Sequence, residues 1–210
     1  MNFISLISRK IEPTGLNKEN IFNFNTIKNH IYHDDYQKIT SLKLNCQLTS
    51  KDSFHLYYPG CGADIIYPLL YITHLIPNSK EIKLTFVDKS NHLDLIKTIL
   101  DDIKINFKQA TPTSISFYTN NILFNLQFIT KDITYFNLDN FDIYFEKSFR
   151  IFKERIFEKK VYEDLNENGI IISDNGFENL NLKRFNIPKE ISIYDDMIIA
   201  IKPPIDHNNQ

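Results

Sequence analysis

Short apolar runs of strand length alternate with longer amphipathic runs through most of the chain, from Phe54 onward. Strands that alternate with helices are typical of βαβ units, in which the strands pair in parallel and the helices cover the sheet. Strands covered on both faces are apolar throughout, as Phe141–Phe145 (FDIYF) and Gly169–Ser173 (GIIIS) are. The pattern therefore predicts an α/β fold on a doubly wound, mostly parallel sheet.

The bounds of these elements follow from periodicity and from Gly, Pro and Asn signals. The predicted strands are Phe54–Tyr58, Glu81–Val87, Ser114–Tyr118, Ile122–Thr130, Phe141–Phe145 and Gly169–Ser173. The first predicted helix is Ala63–Ile76, in which Pro68 lies in the first turn or marks the true start. The second is Asn91–Ile105, with Ser90 or Asn91 as N-cap. The third is Ser148–Leu165, with Gly169 as the left-handed residue beyond its end.

Two segments interrupt the alternation. Ser114–Tyr118 and Ile122–Thr130 flank Asn120-Asn121, which predicts a hairpin. Ile191–Lys202 predicts two further strands joined near Asp195-Asp196. The sheet is therefore expected to end in a C-terminal antiparallel strand pair.

The first 50 residues are polar, rich in Asn and weakly periodic, with one possible helix over Ile27–Ile39. We therefore divide the chain into an N-terminal cap, residues 1–50, mostly helical or irregular, and an α/β domain, residues 51–210. Because the cap lacks sustained periodicity, we expect it to be more mobile than the rest and to be cut first by proteases.

Composition excludes several classes of protein. The formal charge of −2 lacks the basic footprint of a general nucleic-acid binder. No apolar stretch is long enough to span a membrane, and the first residues lack a signal-peptide pattern. Two cysteines cannot build a disulfide framework or a cysteine-rich zinc site. We expect a cytoplasmic protein, with no prediction of its oligomeric state.

The most informative segment joins the first predicted strand to the first helix: Tyr58-Pro59-Gly60-Cys61-Gly62-Ala63-Asp64. In an open α/β sheet, ligands lie outside the carboxyl ends of the strands, and glycines in this loop let the backbone approach them. An acid at the end of the next strand, here Asp88, would accept hydrogen bonds from ribose hydroxyls. The spacing predicts a nucleotide-type site.

This ordered set resembles the class I S-adenosylmethionine-dependent methyltransferases over roughly residues 52–203. Gly60-Cys61-Gly62 matches the core of their first motif, Asp88 their ribose acid, and Asp132, followed by Ile133, their acid near the adenine. The resemblance implies S-adenosylmethionine as cofactor, with S-adenosylhomocysteine as product. The implied cofactor-binding residues are Tyr58, Pro59, Gly60, Cys61, Gly62, Asp64, Asp88, Lys89, Asp132 and Ile133.

The sequence departs from that family at two positions. Tyr58 replaces the usual acid of the first strand, and Asp64 replaces the third glycine; Asp64 could take over the role of the missing acid. These departures keep open a non-catalytic module that binds a nucleotide or S-adenosylmethionine. An NAD-dependent oxidoreductase is a further alternative, although Ile65 stands where a dinucleotide motif has its third glycine.

Residues that would contact a methyl acceptor are less strongly indicated. In the family that the chain resembles, the loop after the fourth strand faces the methyl-transfer site, which makes Phe145 and Glu146 candidates. His33 and Tyr36 are candidates on a lid from the N-terminal cap. We expect a small-molecule acceptor, no metal and no assigned catalytic residue, and we expect Cys61 to be a small loop residue rather than a nucleophile.

Overall fold

The structure is a computed structural model that describes residues 7–42, 51–135, 139–147, 155–174, 176–187 and 197–204. Nine strands form one sheet in the order β3-β4-β5-β2-β1-β6-β7-β9-β8. The strands are β1 Ser53–Pro59, β2 Glu81–Asp88, β3 Phe107–Thr111, β4 Ser114–Thr119, β5 Ile122–Thr130, β6 Phe141–Phe145, β7 Leu165–Ser173, β8 Lys183–Arg184 and β9 Ile198–Ile201.

The five central strands, from β5 to β7, pair in parallel, whereas the strands at both edges pair antiparallel. From β1 the chain proceeds outward through β2 to β5, and then returns to place β6 on the other side of β1. The predicted fold class is therefore confirmed. The reversal next to β1 is a topological switch point, where the loops that follow β1 and β6 diverge and leave a crevice.

In the described residues, three α-helices connect the strands, α3 Ile66–Leu75, α4 Leu93–Asp102 and α5 Arg155–Asp164, and a short 3-10 helix, Ile133–Tyr135, follows β5. Pro68 lies in the first turn of α3, as predicted. The N-cap of α4 is His92 rather than Ser90 or Asn91, but Asn91 Oδ1 accepts a hydrogen bond from the Leu93 N–H at 3.0 Å. Asn91 therefore satisfies one of the free amides of that helix end without being its N-cap.

The predicted hairpin is confirmed at its Asn-Asn turn. Asn120 and Asn121 have φ values of 51° and 63°, the left-handed pair that a tight two-residue hairpin requires. Antiparallel β3 extends this hairpin and was missed, because its polar sequence FKQAT is exposed at the sheet edge.

The N-terminal segment forms two helices, α1 Phe24–Ile27 and α2 His33–Ser41, rather than one over Ile27–Ile39. The side chains of this segment that lie in the same core as the sheet are Phe22, Ile27, Ile31, Ile39 and Leu42. Asn120 also holds the segment, since its side chain accepts from Phe22 N–H and donates to Phe22 C=O, both at 3.1 Å. The division at residue 50 and the greater mobility of the cap stay predictions.

The C-terminal strands close the sheet. β9 pairs antiparallel with β7 and with the short β8, which lies earlier in the chain than the predicted partner of β9. Residues 191–196, which carry that partner and the predicted Asp195-Asp196 turn, lie outside the described residues, as do residues 148–154 of the predicted long helix. Within the described ranges, no helix is long and apolar enough to cross a membrane.

The prediction for Gly169 was wrong. Asn168, with φ 60°, is the left-handed residue, and the helix before it already ends at Asp164. Glycine is needed one residue later for space, because a Cβ on Gly169 would lie 2.7 Å from Asn166 O and 2.7 Å from Leu165 Cγ.

We expect Gly169→Ala to lower the free energy of unfolding by about 1–3 kcal/mol, because a new methyl group would overlap atoms of a buried strand. The matched control is Asn168→Gly, which keeps the left-handed backbone without a side chain and should change stability by less than about 1 kcal/mol. Urea unfolding of both variants checks this. A Gly169→Ala protein as stable as the parent would contradict the steric argument.

Candidate functional site

The loops that follow β1 and β6 border a cleft of about 300 Å³ at the switch point. Its walls include Cys61, Asp64 and Tyr67 from the β1 loop and the start of α3, and Lys147 from the β6 loop. Ile99 of α4 and His30 of the N-terminal segment complete part of the rim. The cleft thus lies where open α/β sheets bind their ligands.

The glycine turn has a backbone conformation that favours glycine. Gly60 and Gly62 have φ values of 62° and 52°, a backbone conformation that residues with a Cβ rarely adopt. A Cβ on Gly62 would have no heavy atom within 4 Å, so the space beside this residue is open. Glycine therefore permits this backbone conformation, and at Gly62 it leaves open space beside the turn.

Two hydrogen bonds tie this turn to β2. Gly60 N–H donates to Val87 C=O at 2.8 Å, and Gly62 N–H donates to Asp88 Oδ2 at 2.9 Å. Asp88 Oδ1 accepts from Ser90 N–H at 3.1 Å, and His92 Nε2 lies 3.8 Å from the same oxygen. The Asp88 side chain is still 20% exposed, and each carboxylate oxygen can accept more than one hydrogen bond. Asp88 can therefore hold the turn and a ligand hydroxyl together.

The two departures from the family motif contact each other. The Tyr58 hydroxyl donates to Asp64 Oδ2 at 3.0 Å, and Tyr67 N–H donates to Asp64 Oδ1 at 3.3 Å. Tyr58 is buried at the end of β1, whereas Asp64 lines the cleft. The tyrosine thus holds a carboxylate near the strand end that carries the acid in related motifs, and the carboxylate reaches the cleft from the loop.

Burial raises the pKa of Asp64, while the Lys147 ammonium and the hydrogen bonds from Tyr67 and Tyr58 oppose that rise. Burial, with the nearby carboxylates of Asp88 and Asp64, also raises the pKa of the Cys61 thiol. A buried thiol with a raised pKa stays protonated and is a poor nucleophile. Cys61 therefore has the electrostatic properties of a packing residue.

Lys89 and Asp132 lie together beyond the ends of β2 and β5. Lys89 Nζ is 3.1 Å from Asp132 Oδ2, and Asp132 Oδ1 accepts from the Thr134 N–H and hydroxyl. The Thr134 hydrogen bonds, followed by Lys89, lower the pKa of the exposed Asp132 carboxyl. Ile133 is buried beside them. The predicted adenine-side residues thus form one cluster next to the strand that ends in Asp88.

Phe145 and Glu146, the predicted acceptor contacts, are both buried at the end of β6. Glu146 Oε2 accepts from the Tyr144 hydroxyl at 2.6 Å, and Glu146 N–H donates to Ile172 C=O at 2.9 Å. A smaller cavity borders both residues, together with Tyr71 and Asp174. A contact with an acceptor stays a prediction for both.

Lys147 follows directly and was not singled out from the sequence. Its Nζ lies 3.0 Å from the centroid of the Tyr67 ring, and both side chains line the large and the small cavity. The Tyr67 hydroxyl in turn donates to Asp35 of α2. The sequence does place Lys147 in the loop Phe145-Glu146-Lys147, which was predicted to face the site. Lys147 was not selected because a lysine in a loop is ordinarily a solvated charge.

His33 and Tyr36 lie on α2, where their rings contact Phe24 at centroid distances of 4.8 and 4.9 Å. Their role in a lid stays a prediction. From the N-terminal segment, His30 lies on the rim of the cleft. Asp35 accepts a hydrogen bond from the hydroxyl of Tyr67, which lines the cleft. Neither His30 nor Asp35 is among the lid residues predicted from the sequence, which are His33 and Tyr36.

Comparisons with known proteins bear on the fold. No protein-family model and no curated protein matches this sequence. Among solved structures, an O-methyltransferase family 2 protein from Planctomyces limnophilus is similar at 10% identity and a TM-score of 0.50, over 81% of this chain and 57% of that one.

Two other similar structures have lower TM-scores. A candidate class I S-adenosylmethionine-dependent methyltransferase from Listeria monocytogenes has 8% identity and a TM-score of 0.43, over 82% of this chain and 58% of that one. PKMT2 from Rickettsia typhi has 19% identity and a TM-score of 0.38, over 68% and 24%. This chain thus spans from about a quarter to three fifths of the length of these proteins. Strand order, switch point and the first of these comparisons together show that the chain has a Rossmann-like fold that is also found in methyltransferase structures.

Proposed function

We propose that this protein binds S-adenosylmethionine at the carboxyl ends of β1 and β2 and transfers its methyl group to a small-molecule acceptor. The observation that carries the proposal is the bare glycine turn at the switch point, closed onto Asp88 by the 2.9 Å hydrogen bond from Gly62. This arrangement puts the Asp88 carboxylate, at the end of β2, next to the open space beside Gly62, just after β1.

The residues present fit such a cofactor. Asp88 would accept hydrogen bonds from the ribose hydroxyls, and the cluster of Lys89, Asp132 and Ile133 would border the adenine. Asp64, held by the Tyr58 hydroxyl, would accept from the ammonium of the methionine part. Because Gly60 and Gly62 have no side chains, the part of the cofactor that links the ribose to the amino acid group could pass close to their backbone.

The bound cofactor supplies an activated methyl group on a sulfonium. Because its transfer is a direct displacement, the protein contributes by holding donor and acceptor in line and excluding water, rather than by a strong base. No residue is assigned as a general base.

Ligands bound to similar structures support the choice of this cofactor and of a small acceptor. The Rickettsia typhi protein was solved with S-adenosylhomocysteine. The Planctomyces limnophilus protein was solved with apigenin, and a plantazolicin methyltransferase with S-adenosylhomocysteine and a monoazolic desmethylPZN analogue. These ligands belong to those proteins and guide the choice of compounds to test here.

Two alternatives make different predictions. A module that binds without catalysis is favoured by the replacements at Tyr58 and Asp64, and it would bind S-adenosylmethionine without methylating any acceptor pool. An NAD-dependent oxidoreductase would bind NAD more tightly than S-adenosylmethionine. Ile65 is fully buried at the start of α3, where the dinucleotide motif needs its third glycine for close helix–strand packing.

Titration calorimetry with S-adenosylmethionine, S-adenosylhomocysteine and NAD tests the proposal. We expect binding of the first two and little heat from NAD. Asp88→Ala should weaken S-adenosylhomocysteine binding at least roughly tenfold, since hydrogen bonds to a charged acceptor are worth about 1.5–3 kcal/mol each. Asp88→Asn keeps the shape and should cost less.

Asp88 also holds Gly62, so thermal melting of each variant must accompany the titrations. The matched control is Asp94→Asn, which removes a carboxylate from a side chain on α4 that is 72% exposed and should leave binding unchanged. No heat with either sulfur compound, or tight binding of NAD instead, would end the proposal.

A further inference from the structure

Two opposite charges line the cleft from different parts of the chain. Asp64 lies at the start of α3, and Lys147 lies in the loop after β6. Each shifts the pKa of the other through space. Among the residues that the structure describes, no ion pair within 4.0 Å joins them. The cleft therefore presents a carboxylate and an ammonium with a gap between them.

Both groups are held in place. Asp64 is oriented by the Tyr58 hydroxyl and the Tyr67 N–H. Lys147 lies against the face of the Tyr67 ring, and its neighbour Glu146 is fixed to β7 through the 2.9 Å hydrogen bond to Ile172 C=O. Tyr67 thus contacts both charged residues and sets the spacing between them. Charges held in advance lose little entropy when a ligand binds.

In the described part of the chain, neither Asp64 nor Lys147 has an ion-pair partner within 4.0 Å. Burial raises the pKa of Asp64 and lowers the pKa of Lys147, so each charged form is disfavoured by desolvation. Asp64, Asp35 and Asp174 oppose the change at Lys147 and favour its protonated form. A ligand that brings one ammonium and one carboxylate would supply both groups with the missing partner.

From this geometry we infer that Asp64 and Lys147 together recognise an α-amino acid group, with Asp64 accepting from the ligand ammonium and Lys147 donating to the ligand carboxylate. The inference rests on the proposed function where the group is the methionine end of the cofactor. The same chemistry would serve a free amino acid bound as acceptor. In either case Lys147 determines specificity for the carboxylate.

The experiment uses the full chain and compounds that differ in one group. S-adenosylhomocysteine carries both charges, decarboxylated S-adenosylhomocysteine lacks only the carboxylate, and 5′-methylthioadenosine lacks the whole amino acid group. Lys147→Met removes the ammonium at similar length. It should weaken S-adenosylhomocysteine binding at least tenfold and change the affinity for the decarboxylated compound less than about twofold, because one charge-assisted hydrogen bond is lost only with the former.

Two further variants separate charge from folding. Lys147→Arg keeps a cation and should retain more affinity for S-adenosylhomocysteine than the methionine variant. Lys80→Met is the matched control, since Lys80 is 74% exposed beside Asp52 at the opposite end of β2 and should leave every affinity unchanged. Melting temperatures show that each protein is folded.

The outcomes distinguish this inference from the proposed function. Equal losses for all three adenosine compounds in Lys147→Met, or equal affinity of the parent for the first two, would overturn the inference while the function stands. L-methionine and other free L-amino acids are titrated into protein with and without S-adenosylhomocysteine. Binding that needs Lys147 would support the inference, even if adenosine compounds fail to bind. No binding of any probe overturns both.

Discussion

Replacing Lys202 by methionine is expected to lower the free energy of unfolding by about 2–4 kcal/mol. Lys202 is buried just beyond β9, and its Nζ donates to Leu165 C=O at 2.6 Å and to Tyr162 C=O at 2.7 Å, with Glu163 C=O at 3.4 Å. These carbonyls belong to the end of α5 and the residue after it, where no helical N–H follows to satisfy them. Each carbonyl left without a donor costs about 1–3 kcal/mol.

The Lys202 ammonium also interacts favourably with the negative C-terminal end of the α5 dipole. It lies 4.7 Å from the centroid of the Tyr162 ring. Methionine has similar length and keeps the packing, so the loss reports the hydrogen bonds. Urea unfolding at neutral pH measures it, with an unchanged m-value as the sign of an intact fold.

The matched control for this variant is Lys159→Met. Lys159 is 73% exposed on the same helix and lies 3.7 Å from Glu163, an exposed pair that contributes less than about 0.5 kcal/mol. If Lys202→Met costs no more than this control, the capping role of the ammonium is wrong.

Asp64→Ala is expected to weaken S-adenosylhomocysteine binding roughly 10- to 150-fold, because one hydrogen bond from an ammonium to a carboxylate is worth about 1.5–3 kcal/mol. The substitution also removes the acceptor of the buried Tyr58 hydroxyl, so stability should fall as well. Asp64→Asn separates the two effects, since the amide oxygen still accepts from Tyr58 but carries no charge.

Calorimetry with two ligands gives the decisive comparison for Asp64. Asp64→Asn should weaken S-adenosylhomocysteine and leave 5′-methylthioadenosine unchanged, because the latter has no ammonium. Tyr58→Phe keeps the carboxylate and should change binding less than about fivefold. Equal weakening of both ligands by Asp64→Asn would show that Asp64 shapes the cleft without contacting an ammonium.

The fold could be predicted because its signals are local. Apolar strands such as FDIYF, amphipathic helix periods and the Asn120-Asn121 turn each specify an element within a few residues, and alternating elements imply a parallel sheet. Prediction failed where local signals are weak or ambiguous. β3 is short and polar, and the N-terminal helix breaks between Ile27 and His33 without a glycine or proline to mark it.

Some residues of the candidate site could be predicted from the sequence and others could not. Gly60, Gly62 and Asp88 were identified from spacing, and the structure joins the turn to that acid. Lys147, His30 and Tyr67 were not identified, because each reaches the cleft from a different segment. A lysine after a strand has the same sequence pattern whether it faces water or an aromatic ring.

The amino-acid sequence by itself determined the order of the central strands and of the helices between them, the glycine turn and the acids that follow it, since these depend on contacts between near neighbours. Only the tertiary structure decided that Tyr58 holds Asp64, that Lys147 lies on Tyr67 opposite it, and that Gly169 is required for space rather than for a left-handed turn. The physical reason is that the parallel order of β1 and β6 brings together loops separated by more than 80 residues, and their contacts depend on packing that no local pattern encodes.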